Sequence, residues 1–230
     1  RRERKVDGAM TKKKLAIIHT TPVTVDALKA LVQEEIGPDC EVINLLDDSI
    51  LPELARNGAD VGSVESRWVA YAKIAESLGA DVVLGACSSV GELAKAASRE
   101  VRVPVLRIDE AMAEEAVRRG RDIGVAATLQ TTLGPTTRLL EEKAREAGAE
   151  ATFHPVLAGE AYKLLMAGDR AGHDRVLGEA LLELQGRCDV VVLAQASMAR
   201  VVETLPEDVR GKFLSSPALG VRRAKELLYK

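Results

Sequence analysis

The sequence has few cysteines, few aromatic residues and no long apolar run. Of its 230 residues three are cysteines, and aromatic residues make up 3%. A membrane-spanning helix needs about 18 consecutive apolar residues, and no stretch of this chain is that long. The basic residues at the N-terminus are not followed by an apolar segment, so no signal peptide is indicated. These absences predict a cytoplasmic protein with no membrane partner.

Motifs for metals and nucleotide cofactors are also missing. Cys40, Cys87 and Cys188 have no C-x-x-C spacing, and an odd number of cysteines without a secretory signal favours reduced thiols over disulfides. The three histidines have no H-x-x-x-H spacing, which leaves a metal site unsupported. No G-x-G-x-x-G follows the first predicted strand, and no G-x-x-x-x-G-K occurs. The sequence therefore predicts no cofactor.

The charges nearly balance. The chain has 32 Lys and Arg against 35 Asp and Glu, for a formal net charge of −3. Because the basic residues are scattered and form no stripe with aromatic residues, a nucleic-acid partner is not expected. The composition, 47% hydrophobic and 29% charged, is that of a globular protein. A chain of this length is expected to form one or two small domains.

One sequence pattern occurs twice. Residues 81–90 and 189–198 are identical at five of ten positions, and each is an apolar run that ends in small polar residues. The same spacing of 108 residues aligns 15–20 with 123–128. Each copy is typical of a strand that leads into a loop. Two such halves facing each other place the loops on opposite walls of one cleft, which is the expected ligand site.

Short apolar runs alternate with stretches of helical period from Lys14 onward. The predicted strands begin near Leu15, Glu41, Asp81, Val103, Asp122, Ala151, Asp189 and Lys212. Eight strands interleaved with helices predict parallel sheets that are covered on both faces. We therefore expect an α/β fold of two pseudosymmetric α/β halves, with mainly parallel sheets and the active site in the cleft between them.

The repeat also predicts how the chain is divided. Residues 1–13 are expected to be a disordered leader, because most of the residues at this end are charged. The first half covers 14–109 and the second half covers 110–211. The final strand and helix, 212–230, lie outside the repeat and are predicted to cross back to the first half. A helical face with Trp68 fits a core or a subunit contact, which leaves a homo-oligomer open.

The main candidate for chemistry is Cys87, which is replaced by Gln195 in the second copy. Cys87 follows a buried strand and precedes the helical stretch 90–97, and unpaired backbone N–H groups at a helix start favour the thiolate. The alternative is a buried structural cysteine. We predict catalytic roles for Cys87 and Gln195. The amide of Gln195 suits holding a carboxylate or stabilising an oxyanion.

Hydroxyl groups cluster in the loops that follow these strands. One interpretation is helix capping, and another is a pair of nests, made of hydroxyl and backbone N–H groups, that bind a small anion. Both interpretations are compatible with the same residues. The predicted substrate-binding residues are Thr20, Thr21, Ser88, Ser89, Thr128, Thr131, Ala196 and Ser197.

His19 is the third predicted catalytic residue. It ends the first strand, where it is positioned to act as an acid, a base or an orienting group, with a structural role as the alternative. His154, at the predicted end of a strand in the second half, is a weaker candidate for the same role. His173 begins a polar helix and is expected to face solvent. Cys40 and Cys188 stand where strands begin and are expected to be structural.

With these residues in view, the chain resembles the aspartate/glutamate racemase superfamily, which includes hydantoin racemases, maleate isomerases and arylmalonate decarboxylases. The resemblance is carried by 85–89, 103–105, 123–128 with Thr131, and 191–195. It implies two pseudosymmetric halves, no cofactor, and a small carboxylate substrate held between two cysteines. Cys87 matches one of these cysteines, whereas Gln195 stands where the other is expected.

This departure leaves three functional interpretations open. Cofactor-free racemisation needs two groups that titrate on opposite faces of the substrate, and an amide does not titrate. The first interpretation is a single-cysteine enzyme that decarboxylates, isomerises or hydrolyses a small carboxylate. The second is a racemase or epimerase in which His19 or His154 supplies the second proton. The third is a carboxylate-binding protein without turnover.

Overall fold

The computed structural model describes residues 12–230, which form two four-stranded sheets surrounded by helices. The strands are β1 (Lys13–His19), β2 (Cys40–Leu46), β3 (Val82–Gly85), β4 (Val105–Arg107), β5 (Asp122–Ala127), β6 (Thr152–Leu157), β7 (Val190–Leu193) and β8 (Phe213–Ser215). The helices are α1 (Val23–Glu35), α2 (Ile50–Arg56), α3 (Gly62–Ser77), α4 (Leu93–Ala97), α5 (Glu110–Arg119), α6 (Gln130–Ala147), α7 (Gly159–Met166), α8 (Arg170–Gln185), α9 (Ala199–Val202), α10 (Glu207–Arg210) and α11 (Ser216–Leu228). Two 3₁₀ turns cover Ser88–Val90 and Ala196–Met198.

Both sheets are parallel and have the same strand order. The first is β2-β1-β3-β4 and the second is β6-β5-β7-β8. The central strands β3 and β7 are buried along their whole length, because helices cover both faces of each sheet, and this is why they are continuous apolar runs. The predicted α/β fold with two pseudosymmetric halves is confirmed. Within the described residues, no helix is long and apolar enough to cross a membrane.

Two aspartates that are identical in the repeat anchor the starts of β3 and β7. The N–H of Asp81 donates to the carbonyl of Lys14, and the N–H of Asp189 donates to the carbonyl of Asp122, both at 2.8 Å. The Asp81 carboxylate accepts the N–H of Lys14 at 2.8 Å, and the Asp189 carboxylate accepts the N–H of Asp122 at 3.0 Å. The same backbone and side-chain bonds therefore set the register of both central strands.

The last helix of each half packs on the sheet of the other half. Helix α5 follows β4 of the first sheet, but its Met112 and Ala113 are buried in the core of the second sheet. Helix α11 follows β8 of the second sheet, but its Val221 and Ala224 are buried in the core of the first. Each hydrophobic core is therefore completed by a helix that the other half supplies.

The structure corrects two of the predicted limits. Of the segment 212–230, which was predicted to cross back to the first half, only helix α11 does so. Strand β8 pairs with β7 and belongs to the second sheet. The pattern was misread because β8 is only three residues long. The predicted leader, 1–13, lies mostly outside the described residues, but Lys13 begins β1 and pairs with Cys40. The first strand thus starts before the predicted limit.

Helix α11 packs on the sheet of the other half, an arrangement that we call the exchange of helices together with the matching packing of α5. It depends on a close contact at Gly220 in α11. A Cβ atom at this position would lie 2.5 Å from the backbone carbonyl oxygen of Ile108. We expect Gly220→Ala to lower the free energy of unfolding by about 1–3 kcal/mol, the usual cost of overpacking, as measured by urea denaturation. Gly211→Ala is the control, because a Cβ there meets no atom within 4 Å. Equal stability of the two variants would contradict the close packing of α11.

Candidate active site

The Cys87 loop begins where β3 ends. Cys87 has an extended backbone (φ −134°, ψ 118°), is half-buried and packs against the core of the first half. The predicted helical stretch 90–97 is interrupted: a 3₁₀ turn covers Ser88–Val90, and α4 has only five residues. So short a helix adds little dipole field, and the prediction that a helix start activates this thiol is not supported.

The Gln195 loop repeats this geometry in the second half. Gln195 has φ −130° and ψ 130°, and it too precedes a 3₁₀ turn. The backbone bond from Ala86 to the carbonyl of Ile18 and the bond from Ala194 to the carbonyl of Ala126 are both 2.9 Å. The loops of Cys87 and Gln195 are therefore equivalent in backbone structure, and the sequence repeat is a structural repeat.

The side chain of Gln195 is held by Thr128. Its Oε1 accepts a hydrogen bond from the backbone N–H of Thr128 at 2.6 Å and a second from the Thr128 hydroxyl at 3.0 Å. A backbone N–H only donates, so the atom that faces it is the amide oxygen. With that oxygen occupied, the polar function left to Gln195 is its NH₂ group. The amide is thereby fixed as a hydrogen-bond donor.

The two threonine loops also share their local hydrogen bonds. The hydroxyl of Thr24 approaches the carbonyl of Thr21 at 3.1 Å, and the hydroxyl of Thr132 donates to the carbonyl of Leu129 at 2.9 Å. Both contacts lie at the start of the helix that follows the first strand of each half, but no side chain caps either helix, so the capping interpretation is wrong for these threonines. Thr20 and Thr128 directly precede the residues whose carbonyls are contacted, Thr21 and Leu129, and both are almost fully buried. Thr21 and Thr131 are half-buried.

The predicted serines and alanine differ in exposure. Ser88 is half-buried and Ser89 is buried, both in the 3₁₀ turn after Cys87. Ala196 and Ser197 are exposed in the matching turn of the second half. The first turn is more deeply packed because α6 from the second half lies against it. Ion pairs between Lys95 and Glu142, 3.1 Å, and between Arg138 and Glu92, 3.5 Å, join α6 to the same region.

His19 is buried, and both of its ring nitrogens have partners. Nε2 lies 2.9 Å from Oδ1 of Asn44, and Nδ1 lies 2.8 Å from the hydroxyl of Thr24. Burial lowers the pKa of His19, while the hydrogen bond with Asn44 opposes that shift. Since an amide oxygen only accepts, Nε2 carries the proton. The ring therefore ties β2 to the start of α1, and it has no free nitrogen to offer a substrate.

The other histidines lie elsewhere. His154 is in the interior of β6, and its Nε2 is 2.9 Å from the carboxylate of Asp122, which begins β5. This is the edge of the sheet opposite to the Cys87 and Gln195 loops, so the expected position at a strand end is wrong. His173 is buried beside Asp174, with Nδ1 2.7 Å from the carboxylate, which corrects the expectation that it faces solvent.

An ion pair next to the Cys87 loop was missed from the sequence. The guanidinium of Arg107 makes two hydrogen bonds to Asp109, 2.7 and 2.9 Å, and Asp109 is fully buried. A Cβ at Gly91, in the loop after Cys87, would lie 2.7 Å from this guanidinium. Arg107 therefore packs on the backbone of the loop. The sequence signal was only a charged pair at the end of a short strand.

The comparisons with known proteins agree with this architecture. The sequence pattern that defines the Asp/Glu/hydantoin racemase family matches residues 16–224. The chain therefore belongs to the Asp/Glu/hydantoin racemase family. No curated protein sequence is similar enough to count as a match.

Solved structures with the same fold include three racemases. A glutamate racemase isoform from Bacillus anthracis has a TM-score of 0.73 at 18% identity, over 95% of this chain and 82% of the other. A putative Asp/Glu racemase from Yersinia pestis has a TM-score of 0.72 at 15% identity, over 95% and 100% of the two chains. Allantoin racemase from Klebsiella pneumoniae has a TM-score of 0.63 at 17% identity, over 94% and 88%. At these identities the likeness establishes the fold alone.

The exposure of the three thiols predicts their order of reaction. Cys40 and Cys188 are buried, and burial raises the pKa of both thiols, which makes them unreactive. Cys87 is only half-buried. We expect iodoacetamide to alkylate Cys87 first in the folded protein at neutral pH, as measured by peptide mapping. Faster labelling of Cys40 or Cys188 would contradict the assignment of Cys87 to an accessible site.

His19 predicts a pH dependence of stability. Because burial lowers its pKa from 6.5 in the folded protein, the unfolded chain takes up a proton first as the pH falls. The contribution of His19 to stability is therefore complete above about pH 6.5 and declines as the pH falls toward the lowered pKa. We expect His19→Gln to lose less stability than the parent protein between about pH 7.5 and about pH 5.5, as measured by urea unfolding. If the difference in stability between His19→Gln and the parent protein were the same at both ends of this pH range, His19 would not be a neutral, buried side chain.

Proposed function

We propose that the protein is an enzyme of this family that acts on a small carboxylate without a cofactor and uses Cys87 as its single reactive thiol. The hydrogen bonds from Thr128 to the amide oxygen of Gln195 carry this proposal. They leave the residue at the second catalytic position as a fixed donor. A donor of this kind stabilises negative charge on an oxygen, but it does not remove or return a proton.

In this proposal, only the Cys87 side of the substrate meets a group that transfers a proton or forms a covalent bond. In the decarboxylation of a monocarboxylate with a carbonyl group next to the α-carbon, the bond between the α-carbon and the carboxylate breaks, CO₂ departs, and the electron pair moves onto the carbonyl oxygen as an enolate. The NH₂ group of Gln195 stabilises the enolate oxygen, and the thiol of Cys87 supplies the proton to carbon. Isomerisation through a thioether and hydrolysis through a thioester use the same thiol as a nucleophile. The single thiol is common to all three reactions.

The remaining predicted residues have supporting roles in this proposal. We assign the hydroxyl and backbone N–H groups of Thr20, Thr21, Ser88 and Ser89 to carboxylate binding. His19 acts as a positioning residue, because its contact with Thr24 holds the first threonine loop. Ala196 and Ser197 are exposed and have no assigned step.

Racemisation is the second candidate function, and family membership favours it. It requires a second acid or base on the side of Gln195. His19 has both ring nitrogens occupied, and His154 pairs with Asp122 at the opposite edge of the sheet. We therefore rank racemisation below single-cysteine chemistry, and we rank carboxylate binding without turnover below both.

Incubation with small carboxylates and amino acids in deuterium oxide, followed by NMR, distinguishes these functions. We expect conversion of at least one carboxylate with deuterium added to one face only. Cys87→Ala should abolish it, and Gln195→Cys should add exchange on the second face, because a thiol titrates where the amide does not. Cys188→Ala is the control and should keep full activity. Activity in Cys87→Ala would refute cysteine chemistry, and exchange on both faces in the parent protein would establish a racemase.

A further inference from the structure

Gln195 behaves as an internal ligand of the Thr128 loop. The backbone N–H and the hydroxyl of Thr128 both point at one atom, Oε1 of Gln195, at 2.6 and 3.0 Å. Two donors converging on one oxygen form the arrangement that binds an oxygen of a carboxylate. In the second half this nest is filled by the chain itself.

The first half repeats the sequence spacing and the backbone of this nest. Thr20 stands 108 residues before Thr128, and Cys87 stands 108 residues before Gln195. The equivalent backbone bonds between the strands have equal lengths in the two halves. The threonine that follows each nest makes the same side-chain contact, from Thr24 to Thr21 and from Thr132 to Leu129. The repeat therefore predicts that the donors of Thr20 face the Cys87 side chain, as those of Thr128 face Gln195.

The two nests differ in occupancy because the side chains differ in length. Glutamine carries its amide oxygen three heavy atoms beyond Cβ, whereas the sulfur of cysteine is attached directly to Cβ. The thiol of Cys87 is thus too short to take the place that Oε1 occupies in the second half. In the part of the chain that the structure describes, the backbone N–H of Thr20 has no backbone hydrogen-bond partner, although Thr20 is only 3% exposed.

We infer that the Thr20 nest binds the single carboxylate of a monocarboxylate substrate beside Cys87, while Gln195 permanently closes the matching nest at Thr128. This inference rests on the proposed function and deepens it by naming the substrate class. A second carboxylate on the substrate finds both donors of Thr128 already taken. Replacement of Gln195 by a smaller residue opens the second nest and allows dicarboxylates to bind.

Acetate is the probe that tests the two nests, with backbone amide NMR of Thr20 and Thr128 as the readout. In the parent protein, acetate should shift the Thr20 amide and leave the Thr128 amide unchanged. In Gln195→Ala, acetate should shift both amides. Acetamide, which matches the atoms removed by this substitution, should shift Thr128 in the variant alone. A shift of Thr128 in the parent protein equal to that in Gln195→Ala would refute the closed nest.

Two further variants serve as matched controls. Gln195→Glu keeps an oxygen acceptor against Thr128, so its Thr128 amide should not respond to acetate. Thr128→Val in the Gln195→Ala background removes the hydroxyl donor and should weaken acetate binding at this nest by about tenfold. A response of Gln195→Glu like that of Gln195→Ala would contradict the role of Oε1. Absence of any Thr20 response in every variant would refute the first nest.

Affinities for malonate, maleate and succinate test the substrate class. We expect none of them to bind the parent protein more tightly than acetate does, and at least one to bind Gln195→Ala about tenfold more tightly than it binds the parent protein. Tight dicarboxylate binding by the parent protein would overturn the inference. These are binding measurements, so they stay distinct from the deuterium experiment. A closed Thr128 nest in a protein that converts no carboxylate would refute the proposed function alone.

Discussion

The exchange of helices α5 and α11 is the constraint on which the rest of the structure depends. Each sheet buries one face under a helix that follows the fourth strand of the other sheet. Neither core is complete without the other half, because the apolar faces of four short strands would otherwise be open to water. The two halves are thus held as one unit. The ion pairs between α6 and the region of Cys87 add to an interface that is already hydrophobic.

Within this unit the two halves have kept the same backbone and diverged in side chains. Cys87 and Gln195 occupy equivalent extended positions, yet one offers a thiol and the other an amide whose oxygen is already bound. A thiol takes part in proton transfer and covalent bond formation, whereas an amide held in this way only donates hydrogen bonds. The chemical difference between the two equivalent loops therefore comes from one residue in each half.

Much of the fold was predictable from the sequence because the buried strands are unmistakable. Runs such as Val190–Leu193 are apolar without interruption, and the repeat aligns them in one register. Strand β8 was assigned to the wrong half because three residues carry no periodicity. The helical stretch after Cys87 was predicted as continuous, although Arg107 packs against the loop at Gly91. The bond between Thr128 and Gln195 joins residues 67 positions apart, and no sequence pattern reports such a side-chain contact.

The packing of α5 and α11 on the opposite halves also bears on how the Cys87 and Gln195 loops came to differ. A single half has an incomplete core, but two identical copies complete each other by the same exchange, as a two-fold symmetric dimer. Symmetry in such a dimer forces both copies to carry the same residue, so every substitution in the loop appears twice. Covalent linkage of the halves in one chain removes this restriction. Each loop is then free to change alone, and a cysteine on one side can be combined with a glutamine on the other.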